Sequence, residues 1–448
     1  MSDRRSVRKL VSTVALVWLV IGSSFAFGMV SAALRSWPYP QFVETLQFVA
    51  GSQEELSTLW QKIVNDWGDM PLRHLASSAP LAFPASAYRP LDGLPLKADR
   101  VAPIVHIGQN AMPGYRLILG TFDFRQTLHA AILLNADGEV INVWSITQND
   151  LTWPHRPDKL ILPHGLDVTR SGSIIVAYDA GSSLTKYDYC GRKLWQVAGG
   201  FHHSVDLYGE KSLWSWGNTD PDRLFGLQLI QLSVADGAVL RRFTINDIIR
   251  ANPDIDIFGI RQTDAEEGSA WTDQPFHPND IEPLPKELAR HYPDFEAGDL
   301  LVSFRSLNLV FVVDPESLKV KWWSFGLTRR QHDPDWNARG TITVFNNNMH
   351  RRYSSIVEID PTHGQHRALV DGKAYDFYSW HLGEHQVLPN GDVLITSPDQ
   401  GRIFEVAPDK SVTFDFRNRF AEGEPPLSVS ESRFLPLDYF RDLPTCDG

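Results

Sequence analysis

The sequence predicts an all-β fold, a six-bladed β-propeller, and three observations support this prediction. A short β-rich run that follows a glycine or a turn recurs six times along the chain. Each copy is followed by an apolar run that closes on a turn, and then by a further strand. With 448 residues, 43% of them hydrophobic, the chain is long enough to bury such a repeated core as one unit.

The N-terminal segment predicts a membrane anchor. Arg4, Arg5, Arg8 and Lys9 precede an uncharged stretch over residues 10–34, which is long enough to span a bilayer as a helix. The basic cluster keeps the preceding end in the cytoplasm. A cleaved signal peptide, with a small-residue site at residues 30–32, is the alternative, but its apolar region would be unusually long. Both interpretations export everything after residue 35.

A short amphipathic helix and a linker are predicted next, over residues 36–105. Ser52 and Glu55 form a capping box, and apolar side chains follow at helical spacing up to Trp67. Residues 68–105 are rich in proline, alanine and serine, as expected for a linker or a strap over the propeller. The propeller itself is predicted over residues 106–448.

The repeat itself is carried by turn glycines. The β-rich runs follow Gly114, Gly172, Gly209, Gly298, Gly340 and Gly391. Each copy, completed by a leading strand, makes a four-stranded antiparallel sheet with two apolar faces, which must pack against its neighbours around an axis. One interval is much longer than the others, so we expect a loop-rich insertion at residues 244–297.

Charge and cysteine content narrow the classes of function. The net charge of −12 argues against a nucleic-acid partner, which would require a basic face. Cys190 and Cys446 are too few for a disulfide scaffold, and the 256 positions between them give no geometric reason to expect a bond. They either pair in an oxidising compartment or remain two separate thiols.

Histidines recur at the start of the predicted leading strands. Equivalent positions in a propeller converge on one mouth of the channel, so these side chains should form a ring. Arg305 ends the second strand of the fourth copy and should lie within reach of that ring. The histidines are His164, His202, His203, His277, His332, His381 and His385. Four or five histidines with an arginine suit a compact oxyanion.

Two other interpretations of these histidines stay open. A histidine at a repeated blade position is often part of a structural hydrogen-bond network, and His164 with Asp167 fits that description, as does His381. Several converging histidines also suit a metal, but no tight ligand spacing such as His-Glu-x-x-His occurs, and we expect neither a metal nor another cofactor.

A family resemblance rests on these same segments. Over residues 160–410 the chain resembles the bacterial arylsulfate sulfotransferases that use no nucleotide sulfate donor. The matching pieces are Phe201-His202-His203-Ser204, His277-x-Asn279, Ser303-Phe304-Arg305, Trp322, and Gln331-His332-Asp333 with Val344-Phe345-Asn346-Asn347-Asn348. The resemblance implies that His332 is the nucleophile that becomes sulfated, and that His203, His277, Asn279 and Arg305 surround the sulfuryl group.

The resemblance and the residues together imply ping-pong sulfuryl transfer from an aryl sulfate ester to a phenol, with His202 and His164 helping to bind substrate. A neutral imidazole is a competent nucleophile, and fixed cationic donors stabilise charge on the peripheral oxygens. No phosphate-binding loop is present, which agrees with a donor other than a nucleotide. We expect a single-pass inner-membrane protein whose propeller faces the periplasm. A non-catalytic propeller with a binding or assembly role is the alternative.

Overall fold

The computed structural model describes residues 79–147, 162–178, 183–217, 228–257, 276–349, 351–419 and 425–446. All of them lie in the compact unit Leu72–Gly448. The anchor predicted at residues 10–34 and the helix predicted at residues 52–67 lie outside the described ranges. Within those ranges, no helix has the length and apolar character needed to cross a bilayer.

Strands dominate the described ranges. The first thirteen, in chain order, are β1 (Arg89–Pro90), β2 (Ile104–Ile107), β3 (Gly114–Thr121), β4 (His129–Leu134), β5 (Val140–Ile146), β6 (Pro163–Val168), β7 (Ile174–Tyr178), β8 (Ser183–Tyr187), β9 (Lys193–Ala198), β10 (His202–Tyr208), β11 (Ser212–Gly217), β12 (Gln228–Ser233) and β13 (Val239–Thr244). The others are β14 (Pro278–Pro283), β15 (Leu300–Phe304), β16 (Leu309–Val313), β17 (Val320–Phe325), β18 (His332–Trp336), β19 (Ile342–Asn346), β20 (Ser355–Ile359), β21 (His366–Asp371), β22 (Glu384–Val387), β23 (Val393–Ser397), β24 (Arg402–Val406), β25 (Val412–Arg417) and β26 (Val429–Pro436).

Short helical elements connect some of these strands. The α-helix α1 spans Ile245–Ala251, and 3-10 turns span Ala85–Ala87, Ala289–His291, Arg305–Leu307, Gly372–Ala374 and Pro398–Gln400. A capping box starts α1, because Thr244 Oγ1 accepts from the backbone N–H of Asp247 and Asp247 accepts from that of Thr244. The segment predicted as a loop-rich insertion therefore contains α1 and the strand β14.

The strands form six antiparallel sheets, which confirms the predicted six-bladed propeller. Blades 2 to 5 are four-stranded meanders, built from β6–β9, β10–β13, β14–β17 and β18–β21. Blade 6 contains β22–β25 and is extended at its outer edge by β2 and then β1. Blade 1 has the order β26-β3-β4-β5, so its innermost strand comes from the C-terminal end of the chain.

This closure differs from the prediction that a leading strand precedes every copy. The strand just before blade 1, β2, pairs with β25 of blade 6 instead, and β26 pairs with β3. Pairing the last strand, β26, with β3 in one sheet closes the ring of blades with backbone hydrogen bonds.

The core lies between neighbouring blades. Middle strands such as β7 and β16 are buried along their whole length, whereas the outer strand β17 is exposed at every second residue. One apolar cluster joins blades 1 and 2 through Leu117 and Val176, and another joins blades 3 and 4 through Trp216 and Phe304. This packing fixes the innermost strands against one another around the axis.

A disulfide ties the C-terminal tail to blade 2. Cys190, in the turn after β8, bonds to Cys446 with a Cα–Cα distance of 5.4 Å. Of the two outcomes that the sequence left open, pairing is the one that the structure adopts.

Candidate active site

The innermost strands bring the predicted histidines to one region of the channel. His203 and His332 lie at the starts of β10 and β18, His164 lies in β6, and His277 directly precedes β14. The register of each of these strands shifts near its histidine. Such bulges redirect side chains and are common beside active sites.

Four histidine rings then lie together, and we call His164, His203, His277 and His332 the histidine cluster. The ring of His203 lies 4.6 Å from that of His164, 5.4 Å from that of His277 and 6.5 Å from that of His332, measured between centroids. The close approach of blades 2 and 3 requires a glycine, because a Cβ on Gly165 would lie 1.6 Å from the carbonyl oxygen of His203. The structure thus brings together four of the seven histidines that the repeat predicted to form a ring.

His332 is held by an asparagine that the sequence analysis did not single out. Its Nδ1 lies 2.7 Å from Oδ1 of Asn347, at the end of β19. The Asn347 amide donates to the carbonyls of Ser379 and Leu382, at 3.1 and 2.6 Å. Those two bonds orient Oδ1 toward the histidine, so Nδ1 carries the proton and Nε2 carries the lone pair.

The surroundings of His332 favour its neutral form. Its side chain is almost fully buried. Burial lowers the pKa of His332 well below the ordinary histidine value, and the positive charge of Arg305 lowers it further. The hydrogen bond that His332 Nδ1–H donates to Asn347 Oδ1 opposes this shift only in part. At neutral pH the ring is therefore uncharged, and its Nε2 atom carries a lone pair.

Arg305 and Asn279 are fixed close to the same ring. Arg305 opens the 3-10 turn after β15, and its backbone N–H donates to the carbonyl of His277 at 3.1 Å. Asn279 donates to the backbone carbonyl of Gln331, the neighbour of His332, at 2.7 Å. The Gln331 amide in turn binds Ser303 Oγ, which anchors the start of β18 to blade 4.

Three other predicted histidines are not members of the ring cluster, although the charge of His381 also lowers the pKa of His332. His381 lies beside Asp399, with 3.2 Å between Nδ1 and Oδ2, and its ring lies 4.1 Å from that of Trp380. His385 is on β22, and its Nδ1 lies 2.7 Å from Oδ2 of Asp333, the neighbour of His332 in the chain. His202 begins β10, and its side chain lies outside the described part of the structure.

Carboxylates line the channel three residues beyond each histidine. The pattern His-x-x-Asp/Glu occurs at His164/Asp167, His203/Asp206, His277/Asp280, His332/Asp335 and His381/Glu384. A cavity of about 750 Å³ opens among four of these acids, Asp206, Asp280, Asp335 and Glu384, with Glu282, Glu431 and Arg433 also in its wall. This spacing can be read from the sequence, but only the structure shows that most of these acids line one cavity.

The acidic cavity borders the histidine cluster, because His164 Nε2 lies 3.5 Å from Glu431 and 3.7 Å from Glu384 in the cavity wall. Burial and mutual repulsion raise the pKa values of Asp280, Glu282 and Asp335 well above those of ordinary carboxyls. Arg433 lies 3.2 Å from Asp206 and 3.9 Å from Asp167.

Two groups in the described residues each bring three potential metal-ligand atoms within 4.8 Å of one another. They are His164 with Glu384 and Glu431, and Asp333 with Asp335 and His385.

The family follows from a match to the arylsulfotransferase (ASST) family model over residues 181–419, which is more than half of the chain. The chain belongs to the arylsulfotransferase family. The matched range includes His203, His277, Arg305, His332 and Asn347.

The chain has no significant sequence match among curated proteins. Solved structures with similar folds include a protein of unknown function from Bacteroides caccae, with 13% identity, a TM-score of 0.48, and coverage of 72% of this chain and 99% of that one. TolB from Acinetobacter baumannii has 12% identity, a TM-score of 0.45, and coverage of 72% and 67%. Virginiamycin B lyase from Staphylococcus aureus, solved as a catalytically inactive variant with quinupristin, has 9% identity, a TM-score of 0.37, and coverage of 63% and 87%.

Proposed function

We propose that this arylsulfotransferase-family protein moves a sulfuryl group from an aryl sulfate ester to a phenol through a sulfohistidine on His332. The observation that carries the proposal is the 2.7 Å contact between His332 Nδ1 and Asn347 Oδ1. It leaves Nε2 as the nucleophilic atom of a buried, uncharged ring. Three further histidines and Arg305 provide the donors that an oxyanion needs.

In the first half-reaction, the Nε2 lone pair of His332 attacks sulfur and the bond from sulfur to the aryl oxygen breaks. The phenolate leaves with that electron pair and takes a proton from His203 or His277. Asn347 keeps the proton on Nδ1, so the sulfated ring remains cationic. A cationic ring is a better leaving group than a neutral one, which keeps the intermediate reactive.

In the second half-reaction, the acceptor phenol attacks sulfur and the bond between nitrogen and sulfur breaks. The electron pair of that bond returns to Nε2, and the phenol proton passes to the histidine that served as the acid. This restores the starting protonation of the site, as a ping-pong cycle requires.

Arg305 stabilises the charge on the three peripheral oxygens in both steps, because the transition state of such a transfer is loose and spreads charge over them. Asn279, His164 and His202 are assigned to substrate binding. The Oδ1 atom of Asn279 is buried and makes no hydrogen bond to the described residues, so it can accept one from a bound phenol.

We also propose that the propeller functions outside the cytoplasm, on the periplasmic side of an inner-membrane anchor. The disulfide between Cys190 and Cys446 supports this location, because such bonds persist in oxidising compartments. A reporter enzyme that folds only outside the cytoplasm should be active when it is fused after residue 35. Activity of a fused reporter that folds only in the cytoplasm would contradict the proposal.

The proposed chemistry is tested with a chromogenic aryl sulfate. The purified protein is mixed with this donor alone, and its intact mass is measured. We expect the mass to increase by one sulfuryl group on His332, and the increase to disappear once a phenol is added. Absence of both adduct and transfer with a panel of aryl sulfates would favour the alternative, a non-catalytic binding or assembly propeller.

A further inference from the structure

We propose that the acidic cavity holds a divalent transition-metal ion, bound by Nε2 of His385 and the carboxylate of Asp335 between blades 5 and 6. The proposal rests on the arrangement of these side chains and is independent of the sulfuryl chemistry at His332. Asp335 lies on β18 and His385 on β22, so the ion would join the innermost strands of two neighbouring blades.

The nitrogen of His385 that faces the cavity has no hydrogen-bond partner among the described residues. The residue is 5% exposed, and its Nε2 atom is buried without a hydrogen bond to any described residue. The nearest ionic partner is Asp335, whose Oδ2 lies 3.8 Å away, beyond hydrogen-bonding distance. Buried polar atoms in folded proteins normally have a partner, so this pair is incomplete as it stands.

The other nitrogen of His385 is already fixed. Nδ1 lies 2.7 Å from Oδ2 of Asp333, and the backbone N–H of His385 donates to the same oxygen. A histidine whose Nδ1–H is bound by a carboxylate presents Nε2 as a lone pair of fixed direction. This carboxylate–histidine arrangement is the usual support of a metal-binding histidine.

The distance between the two ligand atoms suits a shared ion. Nitrogen and oxygen ligands lie roughly 2.0–2.2 Å from zinc, so two of them at the tetrahedral angle are about 3.3 to 3.6 Å apart. The 3.8 Å between His385 Nε2 and Asp335 Oδ2 exceeds that range by only a few tenths of an ångström, which a small side-chain movement closes. One imidazole and one carboxylate form a mixed set that favours transition metals over calcium.

The charge of the cavity favours a cation as well. Its wall carries Asp206, Asp280, Glu282, Asp333, Asp335, Glu384 and Glu431. Arg433 lies beside Asp206, with 3.2 Å between the charged groups. A divalent ion beside Asp335 and His385 would offset part of the remaining repulsion.

Metal binding by the full-length protein tests the proposal. The protein is treated with a chelator, dialysed, and titrated separately with Zn²⁺, Mn²⁺ and Ca²⁺ by calorimetry, and the metal content is measured by mass spectrometry. We expect about one equivalent of Zn²⁺ or Mn²⁺, weaker binding of Ca²⁺, and a higher melting temperature with the bound ion. Absence of Zn²⁺ and Mn²⁺ binding would show that the carboxylates share protons instead, and the proposal would be wrong.

Two variants localise the ion. His385→Asn keeps a donor for Asp333 but removes Nε2, and Asp335→Asn removes the carboxylate at nearly constant volume. Each should weaken Zn²⁺ binding roughly ten- to a hundredfold or more. His363→Ala is the matched control, since His363 also pairs with an aspartate at 2.8 Å but is exposed. Unchanged affinity in both cavity variants would overturn the site.

A third variant separates this proposal from the proposed function. His332→Ala should bind Zn²⁺ as the wild type does, whether or not the wild type transfers sulfuryl groups. Loss of Zn²⁺ binding in His332→Ala, with the fold intact by circular dichroism, would place the ion in the histidine cluster and contradict the assignment to His385.

Discussion

Replacing Asn347 by alanine is expected to slow sulfuryl transfer much more than the equivalent change one residue earlier. Asn347 makes three side-chain hydrogen bonds, to His332 and to the carbonyls of Ser379 and Leu382. Only the bond to His332 touches the ring that gains positive charge during the reaction. A hydrogen bond to a charged group contributes about 1.5–3 kcal/mol, which corresponds to roughly a ten- to 150-fold change in rate.

Asn346→Ala is the matched control for this change. Asn346 is also buried, and its side chain also makes three hydrogen bonds, to the backbone N–H groups of Arg329 and Asn348 and to Ser355 Oγ. Both variants should therefore lose similar stability, measured as the free energy of unfolding in urea. Rapid mixing with an aryl sulfate then gives the rate of adduct formation for each. Equal rates for the two variants would refute the positioning role of Asn347.

A change of charge gives a second measure of the same contact. Asn347→Asp keeps an acceptor for Nδ1–H, but its carboxylate stabilises the protonated ring and raises the pKa of His332. The neutral ring is the nucleophile, so the acidic limb of the pH–rate profile should move to higher pH. A profile that does not move, in a folded variant, would mean that Asn347 does not act through His332.

Five further substitutions have expected outcomes. His332→Ala should abolish both turnover and the covalent adduct in the mass assay, and near-normal transfer would show that another group is the nucleophile. Arg305→Ala should slow both half-reactions by roughly a hundred- to a thousandfold in single-turnover measurements, the usual loss for one oxyanion donor. His203→Ala and His277→Ala should give smaller, graded losses of kcat, because each can partly replace the other as the acid. Cys190→Ser should lower the free energy of unfolding by about 2–5 kcal/mol and leave the transfer rate nearly unchanged, and a large loss of rate would connect the disulfide to the site.

The blades could be predicted because their signals are local. Each strand ends at a turn residue such as Gly172 or Gly391, and each run between turns has the length of one strand. The position of β26 carried no such signal. Its place beside β3 depends on where the ring closes. Nothing in the sequence of β3 or β26 indicates that these two strands, far apart in the chain, pair with each other.

The candidate site, like the fold, could be predicted only in part from the sequence. The histidines recur at equivalent positions, so their convergence followed from the repeat. Asn347 was present in a quoted segment, but its contact with His332 depends on the carbonyls of Ser379 and Leu382, which orient its amide. The pairing of His385 with Asp335 joins two blades, and no spacing rule within one segment predicts it.

The closure of blade 1 sets an order on folding. Strands β3, β4 and β5 are synthesised early, but the inner edge of β3 has no partner until β26 exists. Blade 1 is therefore completed only when nearly the whole chain has been made, and its open edge is exposed to other strands until then. The bond between Cys190 and Cys446 then holds the tail that follows β26. Because the chain has only these two cysteines, oxidation within one molecule can form no incorrect pair. A bond that forms before blade 1 is complete would bring β26 closer to β3.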